Sequence, residues 1–194
     1  MASEPGGGPP LPSPVVLYDA NLLYPFHLRN LLVQLGVDGL VAPRWTDRIH
    51  DEWVGSLAAT GKVARERLLR TRDIMRRVLP GADVTGYEHR IAALALPDRD
   101  DRHVLAAAVE AGASVILTLN LRDFPAGRLA PFGIVARHPD DLLCELHDAD
   151  PEAVRASAEA AHANLSRSAP SFGAFLDALA HQGLPAFAGK LRTR

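Results

Sequence analysis

Two short apolar runs constrain this chain most. Val15-Val16-Leu17-Tyr18 ends at Asp19-Ala20-Asn21, and Ser114-Val115-Ile116-Leu117-Thr118 ends at Leu119-Asn120-Leu121-Arg122-Asp123. A continuous apolar run rich in β-branched residues suits a strand buried on both faces. Gly133-Ile134-Val135-Ala136 reads as a third short strand. Helical patterns fill the gaps between these runs. Strands alternating with helices imply an α/β fold, a central parallel sheet between helical layers. Ligands bind such sheets at the C-terminal edge of the strands, and Asp19 and the Asn120/Asp123 segment are delivered to that edge together.

The helices carry further candidates. Asn21 suits the cap of a first helix running to about Leu35, with Pro25 in its first turn. Thr46 suits the cap of a second, in which Ile49, Trp53 and Leu57 mark the buried face. At about 100° per residue, Glu52 borders that face and Asp51 meets water. Lys62 to Leu79 reads as a third helix, with Arg65, Arg67, Arg70, Arg72, Arg76 and Arg77 against only Glu66 and Asp73. It is either a solvated face or an RNA-backbone surface, with Arg65, Arg70 and Arg77 as candidate contacts. Ala82-Asp83-Val84 suits a short strand and Tyr87 to Leu94 a short helix. From Pro139 the chain reads as helical: Asp140 to Leu146, Pro151 to about Leu165, a break at Ser168-Ala169-Pro170, and an amphipathic stretch from Ser171 to Ala180.

Between the strands lies Pro97-Asp98-Arg99-Asp100-Asp101-Arg102-His103, heading an Ala-rich helix from about Asp100 to Ala111 that stops at Gly112. Carboxylates this crowded require open water or a cation. Asp101 falls in the first helical turn. A helix that leads into a strand begins at the sheet's C-terminal edge, so Asp101 joins Asp19 there. His103 has no second histidine at ligand spacing and reads as a hydrogen-bonded structural group or a substrate contact.

The set is therefore Asp19, Glu52, Asp101 and Asp123, with Asp98 and Asn120 close by. Converging carboxylates without Lys or Arg between them suit a hard divalent cation, Mg²⁺ or Mn²⁺, which takes all-oxygen ligands. Such a site activates water and stabilises the anionic transition state of phosphodiester cleavage. A nucleotide-binding protein is disfavoured, because Asp19-Ala20-Asn21-Leu22 contains no glycine to cradle a phosphate.

Composition sets the outer limits. A chain of 194 residues with 47% hydrophobic content buries one core. A formal net charge of −2 argues against holding nucleic acid by bulk charge. The single Cys144 excludes an internal disulfide and a multi-Cys zinc site, and fits the reducing cytoplasm. No apolar run reaches the roughly 18 residues of a membrane span. Residues 1–14, rich in Gly, Pro and Ser, read as a disordered tail and not a signal peptide.

Four segments together, Tyr18-Asp19-Ala20-Asn21, Arg48-Ile49-His50-Asp51-Glu52-Trp53, Asp101-Arg102-His103-Val104-Leu105-Ala106-Ala107 and Asn120-Leu121-Arg122-Asp123-Phe124, resemble a PIN-domain ribonuclease. They are most similar to the VapC-type toxins of type II toxin–antitoxin systems. The resemblance implies a three-layer α/β/α PIN-like domain over residues 15–138, with a helical extension over 139–194 that exceeds a minimal PIN domain. It implies an Mg²⁺-dependent endoribonuclease acting on RNA, a cognate antitoxin protein as partner, and a homodimer. It assigns Asp19 as the first-strand ligand, Glu52 as the helix-borne acid and Asp101 as the third acid. The fourth acid of many members is replaced by Asn120, with Asp123 one turn later to compensate; Asp98 and Asn21 are supporting groups. The alternative is a PIN-like scaffold of weak or no activity that binds RNA or protein.

Overall fold

The computed structural model describes residues 13–165 and 170–193. Four strands, β1 (Val15–Tyr18), β2 (Ala42–Arg44), β3 (Val115–Leu117) and β4 (Val135–Arg137), form a parallel sheet in the order β2-β1-β3-β4. Val16, Leu17 and Tyr18 are all buried, as are Ile116 and Leu117. Successive strand residues point to opposite faces, so both faces of the sheet are covered. The architecture is the three-layer α/β/α sandwich that the apolar runs imply.

The second strand carries no apolar run. It reads Ala-Pro-Arg, and Pro43 is tolerated because β2 lies at the sheet's edge. Past it, Trp45 and Asp83 make a single parallel bridge, so the strand expected at Ala82–Val84 shrinks to one residue pair.

The helix expected from Asn21 to Leu35 is two helices, α1 (Ala20–Leu23) and α2 (Phe26–Val37). Asp19 is the cap, not Asn21: its carboxylate accepts from the Ala20 N–H at 2.7 Å. Pro25 has no N–H to continue the first helix and stands extended at φ −73°, ψ 128°. The buried Arg29 of α2 closes the break. Its guanidinium donates to the carbonyls of Leu23 and Tyr24 and lies 4.8 Å from the Trp53 ring centroid. Burial pulls its pKa down to about 10.

Next come α3 (Asp47–Ala59), capped by Thr46 at 3.1 Å, and α4 (Arg65–Val78), which starts later than Lys62 and packs on α3. A single turn, α5 (Glu88–Ile91), leads to α6 (Arg102–Glu110), which packs on β1 and β3. After the one-turn α7 (Ala126–Leu129) and β4, the C-terminal residues form α8 (Pro139–Ala149), α9 (Pro151–Ala163), α10 (Phe172–His181) and α11 (Pro185–Arg192). The last of these lies beyond any helix the sequence pattern shows. The buried Asp140 holds its start, accepting from the N–H groups of Ala186 and Phe187 at 3.0 and 2.8 Å.

These helices pack on α2 and reach the segment after β3. Gln182 accepts from the Leu28 N–H at 2.9 Å. Gly183, at φ +102°, presses close enough to Leu119 that a Cβ there would sit 3.1 Å from Leu119 Cδ2. The expected tail, up to residue 12, and the break at Ser168-Ala169 lie outside the described residues. Among the described residues no helix is long and apolar enough to cross a membrane.

Candidate active site

Asp19 leaves the end of β1 and Thr118 the end of β3. The strands pair Tyr18 with Leu117 in register, so the next residues on each, Asp19 and Thr118, are neighbours. The Thr118 hydroxyl donates to Asp19 Oδ2 at 2.7 Å, and Asn21 Nδ2 donates to the same oxygen at 2.6 Å. Thr118 Oγ1 in turn accepts from Asn21 Nδ2 at 2.9 Å and from the Asn120 N–H at 3.0 Å. Asn21 Oδ1 accepts from the Leu119 N–H at 3.1 Å. Asn21 therefore ties the end of β1 to the end of β3. Burial raises the Asp19 pKa; the Thr118 and Ala20 hydrogen bonds lower it, Glu52 adds a raising charge and His103 a lowering one.

Glu52 stands half-buried on α3, and Asp51 is exposed. Glu52 Oε1 accepts from His103 Nε2 at 3.0 Å and from Arg48 Nε at 3.2 Å. Burial by itself would raise the Glu52 carboxyl, but His103 and then Arg48 bring it below the usual range. His103 is buried and its Nδ1 has no partner, so its one hydrogen bond is spent on Glu52. Arg48 also donates to the Asp100 carbonyl at 3.3 Å, tying α3 to the acidic turn.

Asp101 sits at the N-cap position of α6, just before the helix and not within its first turn. Its carboxylate makes no capping bond and has no hydrogen-bond or ion-pair partner among the described residues. Burial pushes its pKa up to about 7, and the charges of Asp19, Asp123, Asp98 and Glu52 all act in the same direction. The four expected acids and Asp98 thus act on one space. Asp98 and Asp100 are exposed, with Asp98 Oδ1 accepting from the Asp100 N–H at 2.8 Å. Asp123, half-buried, ends a short 3₁₀ turn and accepts from the side-chain amide of the exposed Asn120.

Among the described residues, no three His, Cys, Asp or Glu side chains are grouped as a ready-made metal cage. Three of the four acids are turned to local donors: Asp19 to Thr118 and Asn21, Glu52 to His103 and Arg48, and Asp123 to Asn120. The chemistry of the set still fits a hard divalent cation. All donors are oxygen, and no cationic side chain pairs with Asp101 among the described residues. The sequence pattern did not single out Thr118 and Arg48 for these roles, and it read His103 as a hydrogen-bonded group or a substrate contact without naming Glu52 as its partner. Only the parallel register of β1 and β3 points to Thr118.

The arginines of α4 divide into two groups. Arg76 pairs with Asp47 and Asp83, and Arg72 with Asp73. Arg65, Arg67, Arg70 and Arg77 are exposed without a carboxylate partner among the described residues.

Comparison with known proteins agrees with this fold. A family model described as "PIN domain" matches residues 15–122, and one described as "VapC50 C-terminal domain" matches residues 139–193. A protein of Mycobacterium tuberculosis (strain ATCC 25618 / H37Rv) named "Putative ribonuclease VapC50" is 49% identical over 71 residues, which is 37% of this chain and 41% of that protein. The chain thus spans less than half the length of this relative. No solved structure matches the chain. The first family model covers more than half of the chain and takes in Asp19, Glu52 and Asp101, and the second begins where α8 does: the chain belongs to the PIN-domain family.

Proposed function

We propose that this protein is a metal-dependent endoribonuclease that hydrolyses RNA phosphodiester bonds, and that it is the toxin of a toxin–antitoxin pair, restrained by a cognate antitoxin protein. Residues 15–138 form the nuclease unit and 139–194 the helical extension in this reading. The observation that supports it best is that acids from four separate segments act on Asp101, the one carboxylate of that set without a donor among the described residues.

Asp19 and Asp101 are the proposed ligands of Mg²⁺ or Mn²⁺, joined by Glu52 and Asp123, with Asp98 and Asn120 supporting. When bound, the cation would lower the pKa of a water and offset the charge that builds on the phosphate. The protein's share is positioning. Thr118 and Asn21 fix the Asp19 carboxylate, so little reorganisation is needed when substrate arrives. His103 and Arg48 keep Glu52 ionised, and Arg48 ties its helix to the turn that carries Asp101. The unpaired arginines of α4 are proposed to hold the RNA backbone. A homodimer, the arrangement expected from the family, is part of the same proposal.

The test is cleavage of RNA by purified protein in Mg²⁺, in Mn²⁺ and in EDTA. Cutting with either metal, abolished by EDTA and by Asp19→Asn or Asp101→Asn in folded protein, supports the reading. Undiminished cutting by both variants sinks the site, and RNA binding without any cutting favours an inactive binding module.

A further inference from the structure

Beside the acids lies a groove of about 430 Å³, lined among others by Asn21, Tyr24, Glu52, Trp53, Ser56 and Leu119. It runs directly out of the candidate site, since Glu52 and Asn21 belong to both. Its walls are mainly apolar, and Glu52 is the one charged residue lining it. Tyr24 is 40% exposed and makes no ring contact with another aromatic side chain among the described residues. Arg29 grips the Tyr24 and Leu23 carbonyls and stacks on Trp53, which is itself buried in the groove wall. In the same groove, Ser56 follows Glu52 by one helical turn on the same face of α3, exposed and with no hydrogen bond from its hydroxyl among the described residues.

We propose that this groove holds one unpaired RNA base next to the phosphate being cut, stacked on the Tyr24 ring with the Ser56 hydroxyl within reach of its edge. The inference rests on the ribonuclease reading above and deepens it. A phosphate is disfavoured in the groove, because no cation lines it and Glu52 repels anions. A neutral planar group faces no such penalty, and stacking on an exposed aromatic ring is how single-stranded RNA bases are held without readout of their sequence. The continuity with the acidic site places that base beside the reacting phosphate. The consequence is a preference for single-stranded RNA, since a paired base cannot leave its helix at no cost.

The experiment compares wild-type protein with Tyr24→Ala and Tyr24→Trp. Each binds single-stranded RNA of mixed sequence in EDTA, so that nothing is cut, and an abasic RNA of the same length. Tyr24→Ala should weaken binding of the base-bearing RNA by roughly tenfold, within the range of a single lost stack, and leave the abasic RNA unaffected. Tyr24→Trp should retain binding. In Mg²⁺, Tyr24→Ala should raise KM far more than it lowers kcat, with an unchanged melting temperature. Equal loss on both RNAs, wild-type binding by Tyr24→Ala, or loss in Tyr24→Trp matching that in Tyr24→Ala overturns the inference. So does a Tyr24→Ala protein that escapes its antitoxin while binding RNA normally, because the occupant is then a protein side chain. A wild type that cuts RNA with a Tyr24-independent KM sinks the base groove alone. A wild type that cuts no RNA in either metal sinks the nuclease reading and this inference with it.

Discussion

Thr118 donates its hydroxyl to Asp19 Oδ2 across the junction of the two central strands, at 2.7 Å. Both residues are buried, and the same hydroxyl accepts from Asn21 and from the Asn120 backbone. One oxygen therefore sets the carboxylate, its amide neighbour and the start of the segment leading to Asp123. Thr118→Val keeps the shape and removes the hydroxyl. It should cost about 1–3 kcal/mol of stability by leaving buried partners unsatisfied, and lower kcat for RNA cleavage. Thr118→Ser should recover most of both. Urea unfolding and single-turnover cleavage measure the two effects; a fully active, stable valine variant removes Thr118 from the site.

Asp101 makes the metal-free protein sensitive to pH. Its folded pKa is raised from 3.8 to about 7, first by burial and then by Asp19 and the other acids. The folded state then keeps a proton that the unfolded state releases. This contribution to stability is full below the unfolded pKa and is lost as pH rises through about 7. His50 acts in the opposite direction: burial, with Arg76 and Arg72, lowers its pKa from 6.5 to about 3, so its contribution is full above 6.5 and fades as pH falls toward 3. Asp101→Asn separates the two. In EDTA the wild type should lose stability between about pH 4 and pH 7 relative to this variant, and Mg²⁺ should restore the wild type at the upper end. Parallel unfolding curves for the two proteins would dismiss the charge cluster.

His103 is a positioning residue for Glu52. His103→Phe removes the Nε2 donor from Glu52 Oε1 and should weaken Mn²⁺ binding, measured by calorimetry without RNA, as well as cleavage. His103→Gln, which offers an N–H donor, should restore part of the Mn²⁺ affinity. Purely structural loss would lower the melting temperature in both variants and leave the Mn²⁺ affinity of the folded fraction unchanged.

Arg70 and Arg77 stand exposed on α4 with no carboxylate partner among the described residues. Arg70→Glu with Arg77→Glu should weaken RNA binding and flatten its dependence on salt, by roughly 0.7 in log–log slope for each lost single-strand phosphate contact. A slope equal to the wild type's identifies the helix face as solvated surface.

The strands β1 and β3 were readable because burial on both faces leaves an uninterrupted apolar signature in Val15–Tyr18 and Ser114–Thr118. β2 was hidden because Ala42-Pro43-Arg44 is an edge strand with no such signature. The convergence of Asp19 and Asp101 on one edge follows from topology alone, since α6 leads straight into β3. What side chains do there is set by register and depth, which periodicity does not encode. Thus His103 read as a hydrogen-bonded group with no partner named, Asn21 like a helix cap, and Pro25 like a first-turn proline when it in fact ends one helix and starts the next. At the other end, Phe187, Ala188 and Leu191 have helical spacing, but α11 is too short for that pattern to stand out from Gly183-Leu184-Pro185.

Gly183 lies 63 residues beyond Asn120 in the chain, counting from 120 to 183, yet its backbone abuts Leu119, the residue just before it. At φ +102° and with Leu119 Cδ2 so near, the position accepts no side chain without pushing on the strand exit that carries Asn120 and Asp123. The C-terminal helices therefore act as a strut bracing the floor of the groove. Damage at residue 183 would register as a misplaced acid and not as a loosened tail, so inactivating mutations in this protein should not be confined to the segments that carry the acids.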